Sequence, residues 1–249
     1  CGRFECLVYE VPRDRPGPTP TLTIASGGRT SSVTLDSTPV GAGVLREALA
    51  APEVESVLSI GRRPSGVTHP KLRELLIPDL FDLAPHEGAL TGYDACVWAI
   101  GVTSVGKSEA EYAKVTEELT MLWARTLLRL NPVFSFCYCS AMGADGSSMW
   151  ARVRQRVEAG LKALPFKHAG CVRPGFIRPG RGIRSGTKLY QVGLTVFYPL
   201  WAPLFPVMLK VFPNWVTTSE RLGRAMLRVV QGRTDVYILE SADINRVGT

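Results

Sequence analysis

Four places along the chain carry residue types suited to handling an anion or a small polar molecule. Arg62 and Arg63 follow the apolar run "VESVLSI" (54–60), and a guanidinium offers planar, bidentate donors to a phosphate. Ser140 closes "VFSFCYCS" (133–140) and presents a hydroxyl at a strand end. Trp150 and Arg154, in "WARVR", lie four residues apart and so share one face of a helix. An indole N–H donates a hydrogen bond without titrating, and arginine stays charged. That pair can bind and orient, but it cannot exchange a proton near neutral pH. Arg173-Pro174-Gly175 makes a turn after a further apolar run. Arg178, Arg181 and Arg184 follow it, either as an anion-facing rim or as a solvated basic loop.

The elements that must position these residues alternate. Val44, Leu45, Ala48 and Leu49 form a helical stripe that stops at Pro52, and "VESVLSI" is a strand running into Gly61. A weaker strand at 75–77 precedes "PDLFDL", and "DACVWAIG" (94–101) is a strand buried on both faces by its unbroken apolar run. Ser108 and Glu111 make a capping box. The helix after it carries Tyr112, Val115, Leu119, Leu122, Thr126 and Leu130 at three- and four-residue steps, and Pro132 ends it. Strands at 133–140 and 168–175 flank a helix that starts near Ser147 or Ser148. A helix at 219–231, with Gly232 as its C′ residue, precedes a last strand at 235–241. This alternation predicts an α/β fold with a doubly wound parallel sheet. Ligands in such sheets sit beyond the carboxyl ends of the strands. The candidates at those ends are Arg62 and Arg63, Asp79 and Leu80, Gly101 and Val102, Ser140, and the turn at Pro174 and Gly175.

With 249 residues the chain is long enough for one large domain, and 45% hydrophobic against 20% charged residues excludes disorder as its main state. A net charge of +7 suits anionic partners. The arginines are dispersed, and no basic–aromatic track suggests nucleic acid. Four of the six cysteines lie in apolar strand-like runs, and none forms a CxxC or pairs with His69, His86 or His168. They read as buried reduced thiols of a cytoplasmic-type protein, with no legible metal site. A start at Cys1 reads as a fragment or a processed product, without the continuous apolar stretch of a secretory signal. Residues 1–30 are rich in Pro and Gly and read as an irregular extension, with a short strand at 21–24. The uncharged run "LYQVGLTVFYPLWAPLFPVML" (189–209) is long enough to span a bilayer, but Pro199, Pro203 and Pro206 interrupt it. It reads as an apolar cap over a pocket, with attachment of 189–212 to a membrane surface as the alternative.

Taken in order, "VGAGVLREALA", "SIGRRPSG", "IPDLFDL", "AIGVTSVGKSEAEY", "SMWARVRQRVEAGLKALPF", "CVRPGFIRPG", "VTTSERLGRAML" and "LESADI" resemble an atypical short-chain dehydrogenase/reductase. The likeness is to the small NAD(P)-binding, epimerase-like Rossmann proteins, and it runs from about Val40 to the C-terminus. It implies a single Rossmann-like domain over 31–249, with a C-terminal cap at about 176–218.

The resemblance also implies a strand–loop–helix of the form G-x-T-G-x-x-G, whose backbone N–H groups approach a pyrophosphate. Its glycines fall on Leu35, Thr38 and Gly41, so only Gly41 survives, and the preceding "SSVTL" is short and polar for a buried strand. Either residues 1–35 or so are a misassigned exon or frame, or the loop has diverged while still binding; in both cases nucleotide affinity is impaired. Arg62 and Arg63 stand where an acidic residue would hold a ribose 2′-hydroxyl. They suit a 2′-phosphate, hence NADP(H) over NAD(H), or else form a solvated pair beside a turn. Asp79 and Leu80 match the adenine-side contact, although Asp79 equally suits a turn cap. Gly101, with Val102, matches the place where the cofactor passes the backbone, and Pro174 and Gly175 match the loop between nucleotide and substrate. Ser140 matches the catalytic serine, while the Tyr and Lys of Y-x-x-x-K fall on Trp150 and Arg154. The implied function is therefore an NADP-binding protein with weak or lost oxidoreductase activity. The alternatives are an NADPH-dependent reductase or epimerase on a small carbonyl or sugar-nucleotide substrate, and a peripheral membrane-surface protein. Of the other candidate acids, Tyr112, Tyr138, Tyr190 and Tyr198, only Tyr138 has the strand parity of Ser140.

Overall fold

The apolar runs between turn signals become strands sealed on both faces. A computed structural model describes residues 5–9, 39–62, 64–178 and 205–249. The expectations at 21–24, "SSVTL", Leu35, Thr38, Arg63, Arg181, Arg184, Tyr190 and Tyr198, and over 189–204, lie outside those residues. Every residue of β2 (Val57–Gly61), β4 (Ala95–Trp98) and β5 (Ser135–Cys139) is buried, as is nearly all of β6 (Ala169–Arg173). With β1 (Glu5–Tyr9), β3 (Leu72–Leu76) and β9 (Ile238–Glu240) they form a seven-stranded sheet among the described residues, in the order β3-β2-β1-β4-β5-β6-β9. All neighbours pair in parallel except β1. The fold is the expected doubly wound, Rossmann-like one, with strand order reversing beside β1.

Strand parity sorts the core into two layers. Val97, Cys137 and Cys139 face α1 (Pro39–Ala50) and α6 (Ser219–Val230), meeting Val44, Leu45, Leu222 and Met226. Trp98, Phe136 and Tyr138 face the opposite way, toward α3 (Leu119–Leu130) and α4 (Met149–Lys162). There Trp98 lies 5.7 Å from Trp123 and 6.2 Å from Phe136 between ring centroids. Burying each such ring contributes about 1.5–3 kcal/mol. Cys96, Cys137, Cys139 and Cys171 are buried free thiols, as their apolar settings predict.

Three features differ from what the pattern alone predicts. Glu5–Tyr9, within the stretch expected to be irregular, is a central strand that runs antiparallel to both β2 and β4. Past the capping box of Ser108 and Glu111, α2 (Glu109–Ala113) passes into a π-helical turn at Lys114–Glu118 before α3 begins. The i→i+5 bonding of that turn widens the helix, so that residues outside the expected stripe join Tyr112, Leu119 and Thr126 in the core. Thr116, Trp123 and Leu127 are buried, whereas Val115, Leu122 and Leu130 are only half-buried. Finally, the chain does not end on a strand: α7 (Ser241–Val247) follows β9, capped by Glu240 and Asp243. A short parallel pair, β7 (Phe176–Arg178) with β8 (Val216–Thr218), and a helix, α5 (Phe205–Val211), lie beyond the main sheet. Among the described residues no helix is long and apolar enough to cross a membrane.

Candidate functional site

Ser140 leaves the end of β5 with its backbone N–H donating to the Val172 carbonyl at 2.8 Å, so β6 fixes its position. Its hydroxyl is buried, 4% exposed, and has no hydrogen-bond partner among the described residues. A buried hydroxyl without a partner carries a desolvation cost that nothing in the fold offsets. Ser140→Ala is therefore expected to leave the unfolding free energy unchanged, or to raise it by up to about 1 kcal/mol. A loss of more than about 2 kcal/mol in urea denaturation would reveal a structural partner instead.

The loop after Ser140 is tied to α4 by Gln155, whose amide donates to the carbonyls of Ala144 (2.6 Å) and Gly146 (2.8 Å). Ser148 is the N-cap residue of α4. Trp150, in the first turn, is half-buried, with its ring edge 3.5 Å from where a Cβ on Gly143 would lie. One turn on, Arg154 is buried. Its Nε donates to the Tyr112 hydroxyl (3.0 Å), and its Nη1 donates to the Tyr138 hydroxyl (3.3 Å) and the Cys139 carbonyl (3.2 Å). Burial opposes the Arg154 charge, but the surrounding Tyr138, Tyr112 and Cys139 outweigh it and hold the group above its ordinary value. Burial pushes the Tyr138 phenol up and the Cys139 thiol up to about 12. Tyr138 has the parity of Ser140, but it is fully buried with its oxygen facing Arg154.

Gly101 lies just past the end of β4. Its φ is not positive, and a Cβ there would meet only Arg154 Nη2, at 3.9 Å. Neither backbone conformation nor close packing against the described residues requires glycine at this point. What the missing side chain leaves is space between Arg154 and the strand end. Val102 beside it is half-buried.

On the far side of β6, Pro174 is buried and its carbonyl accepts from the Met142 N–H (3.1 Å), while the Gly175 N–H donates to Ser241 Oγ (2.8 Å). A Cβ on Gly175 would collide with the Trp215 carbonyl oxygen, so this glycine has a packing reason of its own. The Arg173 guanidinium is taken up by carboxylates of the fold itself: it pairs with Glu158 of α4 at 2.7 and 3.0 Å and with Glu240 at 3.0 Å. Arg178 lies over the Phe205 ring, 4.7 Å from its centroid.

At the nucleotide end the picture is mixed. Gly41 is buried in the first turn of α1, behind Pro39, which offers no N–H. The helix-packing glycine is Gly43, where a Cβ would lie 2.6 Å from the Ser219 carbonyl. Arg62 is exposed directly beyond β2. Asp79 is exposed, and its carboxylate accepts from the Phe81 N–H at 2.9 Å, which is the turn-capping geometry. Leu80 is buried, its carbonyl accepting from Trp123 Nε1 at 2.8 Å.

The fold thus gathers Ser140, Trp150, Arg154, Gly101, Pro174 and Gly175 at the carboxyl end of β4, β5 and β6, with Asp79 and Leu80 beyond β3. Toward the nicotinamide half of the dinucleotide implied by the resemblance, the strand ends offer an unpartnered buried hydroxyl on Ser140 and an Arg154 nitrogen 3.9 Å from where a Cβ on Gly101 would lie. At the diphosphate half, no tight strand–turn–helix leads into α1 among the described residues. Glu5 pairs with Gly61 and Tyr9 with Val57, so β1 runs away from the strand ends that carry the site. Sequence reasoning missed the Tyr112–Arg154–Tyr138 cluster and the Arg173–Glu158–Glu240 network. The one signal in the sequence was the four-residue spacing of Trp150, Arg154 and Glu158, which sets all three on one helix face.

No family model matches the chain. It is 30% identical over 227 residues to "Protein fmp52, mitochondrial" of Emericella nidulans, covering 84% of this chain and 94% of that protein. Among solved structures, the Bordetella bronchiseptica enzyme WbmH in complex with NAD+ superposes with a TM-score of 0.55 at 16% identity, over 78% of this chain and 69% of that one. The Bacillus cereus enoyl-acyl carrier protein reductase with NADP+ and indole naphthyridinone gives 0.58 at 11%, over 86% and 95%. At these identities the structural likeness is one of fold.

Proposed function

The chain belongs to the FMP52 family, within the atypical short-chain dehydrogenases/reductases, and from that membership we propose that it binds NADP(H) and has weak or lost oxidoreductase activity. The carrying observation is the identity of the groups beside Ser140. The residue one helical turn before Arg154 is an indole, and Arg154 itself is a permanent cation already bonded to two phenols and a carbonyl. Together they can hold a dinucleotide and a polar substrate atom but cannot supply a proton. Arg62, with Arg63, supports the 2′-phosphate form. The reversed β1 and the lost glycines argue for impaired affinity. The partners are the nucleotide and a small molecule. The relative's mitochondrial designation supports that compartment over the cytoplasm expected from the sequence. Of the stretch 189–212 expected as a membrane-surface alternative, 205–212 is described, and there Val207, Val211 and Phe212 are exposed.

A fluorescence titration tests this reading. Saturable binding is expected for both reduced coenzymes, tighter for NADPH, with consumption across a panel of carbonyls close to the rate without protein. Absence of saturation, or a preference for NADH, would count against it. A second reading, an active NADPH-dependent reductase or epimerase, is favoured by one observation: the buried Ser140 hydroxyl is free to orient a carbonyl. Substantial NADPH consumption that disappears in Ser140→Ala would establish it.

A further inference from the structure

We infer that Tyr112 and Tyr138 are positioning residues that aim the Arg154 guanidinium at the coenzyme-side space beside Gly101. The inference rests on the coenzyme-binding reading above and adds two residues that nothing in the family pattern assigns.

A guanidinium is planar, so fixing two of its nitrogens fixes the direction of the third. Tyr112, from α2, accepts from Nε, while Tyr138 and the Cys139 carbonyl, both from β5, accept from Nη1. Nη2 has no partner among the described residues, and it is the nitrogen 3.9 Å from the Cβ position of Gly101. Two elements, α2 and β5, therefore converge on one side chain of α4 and leave free only the donor that faces the gap. An unrestrained arginine would lose roughly 2 kcal/mol of rotamer freedom on binding a ligand. Here that ordering is already complete in the folded chain, which is preorganisation. A lysine at 154 would offer a single point charge on a flexible stem and could not answer Tyr112, Tyr138 and Cys139 together in this planar geometry. The two phenols thus account for arginine where the family pattern has lysine. Both are buried, Tyr112 at 2% and Tyr138 at 0% exposure, so each acts through Arg154 and not by touching a ligand.

The test is a double-mutant cycle read as NADPH affinity on folded protein, with melting temperatures recorded for each variant. Tyr112→Phe and Tyr138→Phe are each expected to weaken NADPH by about fivefold, the worth of one hydrogen bond. Arg154→Met is expected to weaken it by about tenfold or more. In the Arg154→Met background, Tyr112→Phe is expected to produce no further loss, because its effect is routed through the missing guanidinium. A merely structural role would lower the melting temperature and leave the coupling in affinity at zero. If Tyr112→Phe fails to fold, the same cycle with Tyr138→Phe decides. Wild-type protein that binds NADPH while the tyrosine variants bind equally well, or lose affinity equally with and without Arg154, overturns this inference alone. Wild-type protein that binds no coenzyme removes the coenzyme reading, and this inference with it.

Discussion

Trp150→Tyr is expected to raise NADPH-dependent reduction of a carbonyl panel by about a hundredfold or more over the wild-type rate, the lower end of what a positioned general acid contributes. The substitution places a titratable phenol in the first turn of α4, one turn from a cation that never loses its charge. A nearby fixed positive charge lowers a phenol's pKa, which is what a tyrosine acid needs in order to work near neutral pH. The indole is half-buried and its edge lies by Gly143, so the smaller ring opens a shallow surface gap and not a core cavity. A melting-temperature change of only a few degrees is expected alongside the gain. An unchanged rate in folded Trp150→Tyr that binds NADPH would mean that something other than the missing acid limits the chemistry.

Arg173→Met is expected to cost about 3–5 kcal/mol of unfolding free energy in urea, because it strands Glu158 as an unpaired charge inside the protein. Glu158 is a side chain only 5% exposed, held by two Arg173 nitrogens at 2.7 and 3.0 Å. Glu240 is 47% exposed, and its share of the network is small by comparison. Replacing both partners, as Arg173→Met with Glu158→Leu, is expected to recover most of the loss, since a well-filled apolar pair avoids the desolvation of both charges. A loss below 1 kcal/mol for Arg173→Met alone would show that water reaches Glu158. The network matters to the site because it ties α4, the helix that carries Trp150 and Arg154, to β6 and β9.

The parts of this fold that were legible in the sequence are those written in local chemistry. The Ser108–Glu111 capping box, Pro132 behind α3 and the unbroken apolar runs of β4 and β5 each specify their element within a few residues. The placement of Ser140 and Gly101 at strand ends, and of Trp150 and Arg154 one helical turn apart, was legible for a related reason, since both are short-range facts. What stayed hidden is long-range. The strand at Glu5–Tyr9 is defined by antiparallel neighbours some fifty and ninety residues away, at Val57–Gly61 and Ala95–Trp98. Tyr112 meets Arg154 across 42 residues, and Arg173 meets Glu158 across 15, through packing that no periodicity encodes. The π turn at Lys114–Glu118 has no composition of its own; of the stripe read from the sequence after it, Leu119 and Thr126 are buried, while Trp123 and Leu127 take the core places expected of Leu122 and Leu130. Gly175 shows the reverse error of attribution. Its match to the coenzyme loop was visible, but its contact with the Trp215 backbone, which alone requires a glycine, was not.

The central claim is that a nicotinamide dinucleotide lies in the space that Gly101 leaves beside Arg154 at the end of β4. Calorimetric titration of NADPH into the wild-type chain and into Gly101→Leu, both confirmed as folded, addresses it directly. The account predicts a saturating isotherm for the wild type and at least about tenfold weaker binding for Gly101→Leu, since the added side chain fills that space. Wild-type protein that gives no saturating heat, or Gly101→Leu that binds as tightly as wild type, would contradict it.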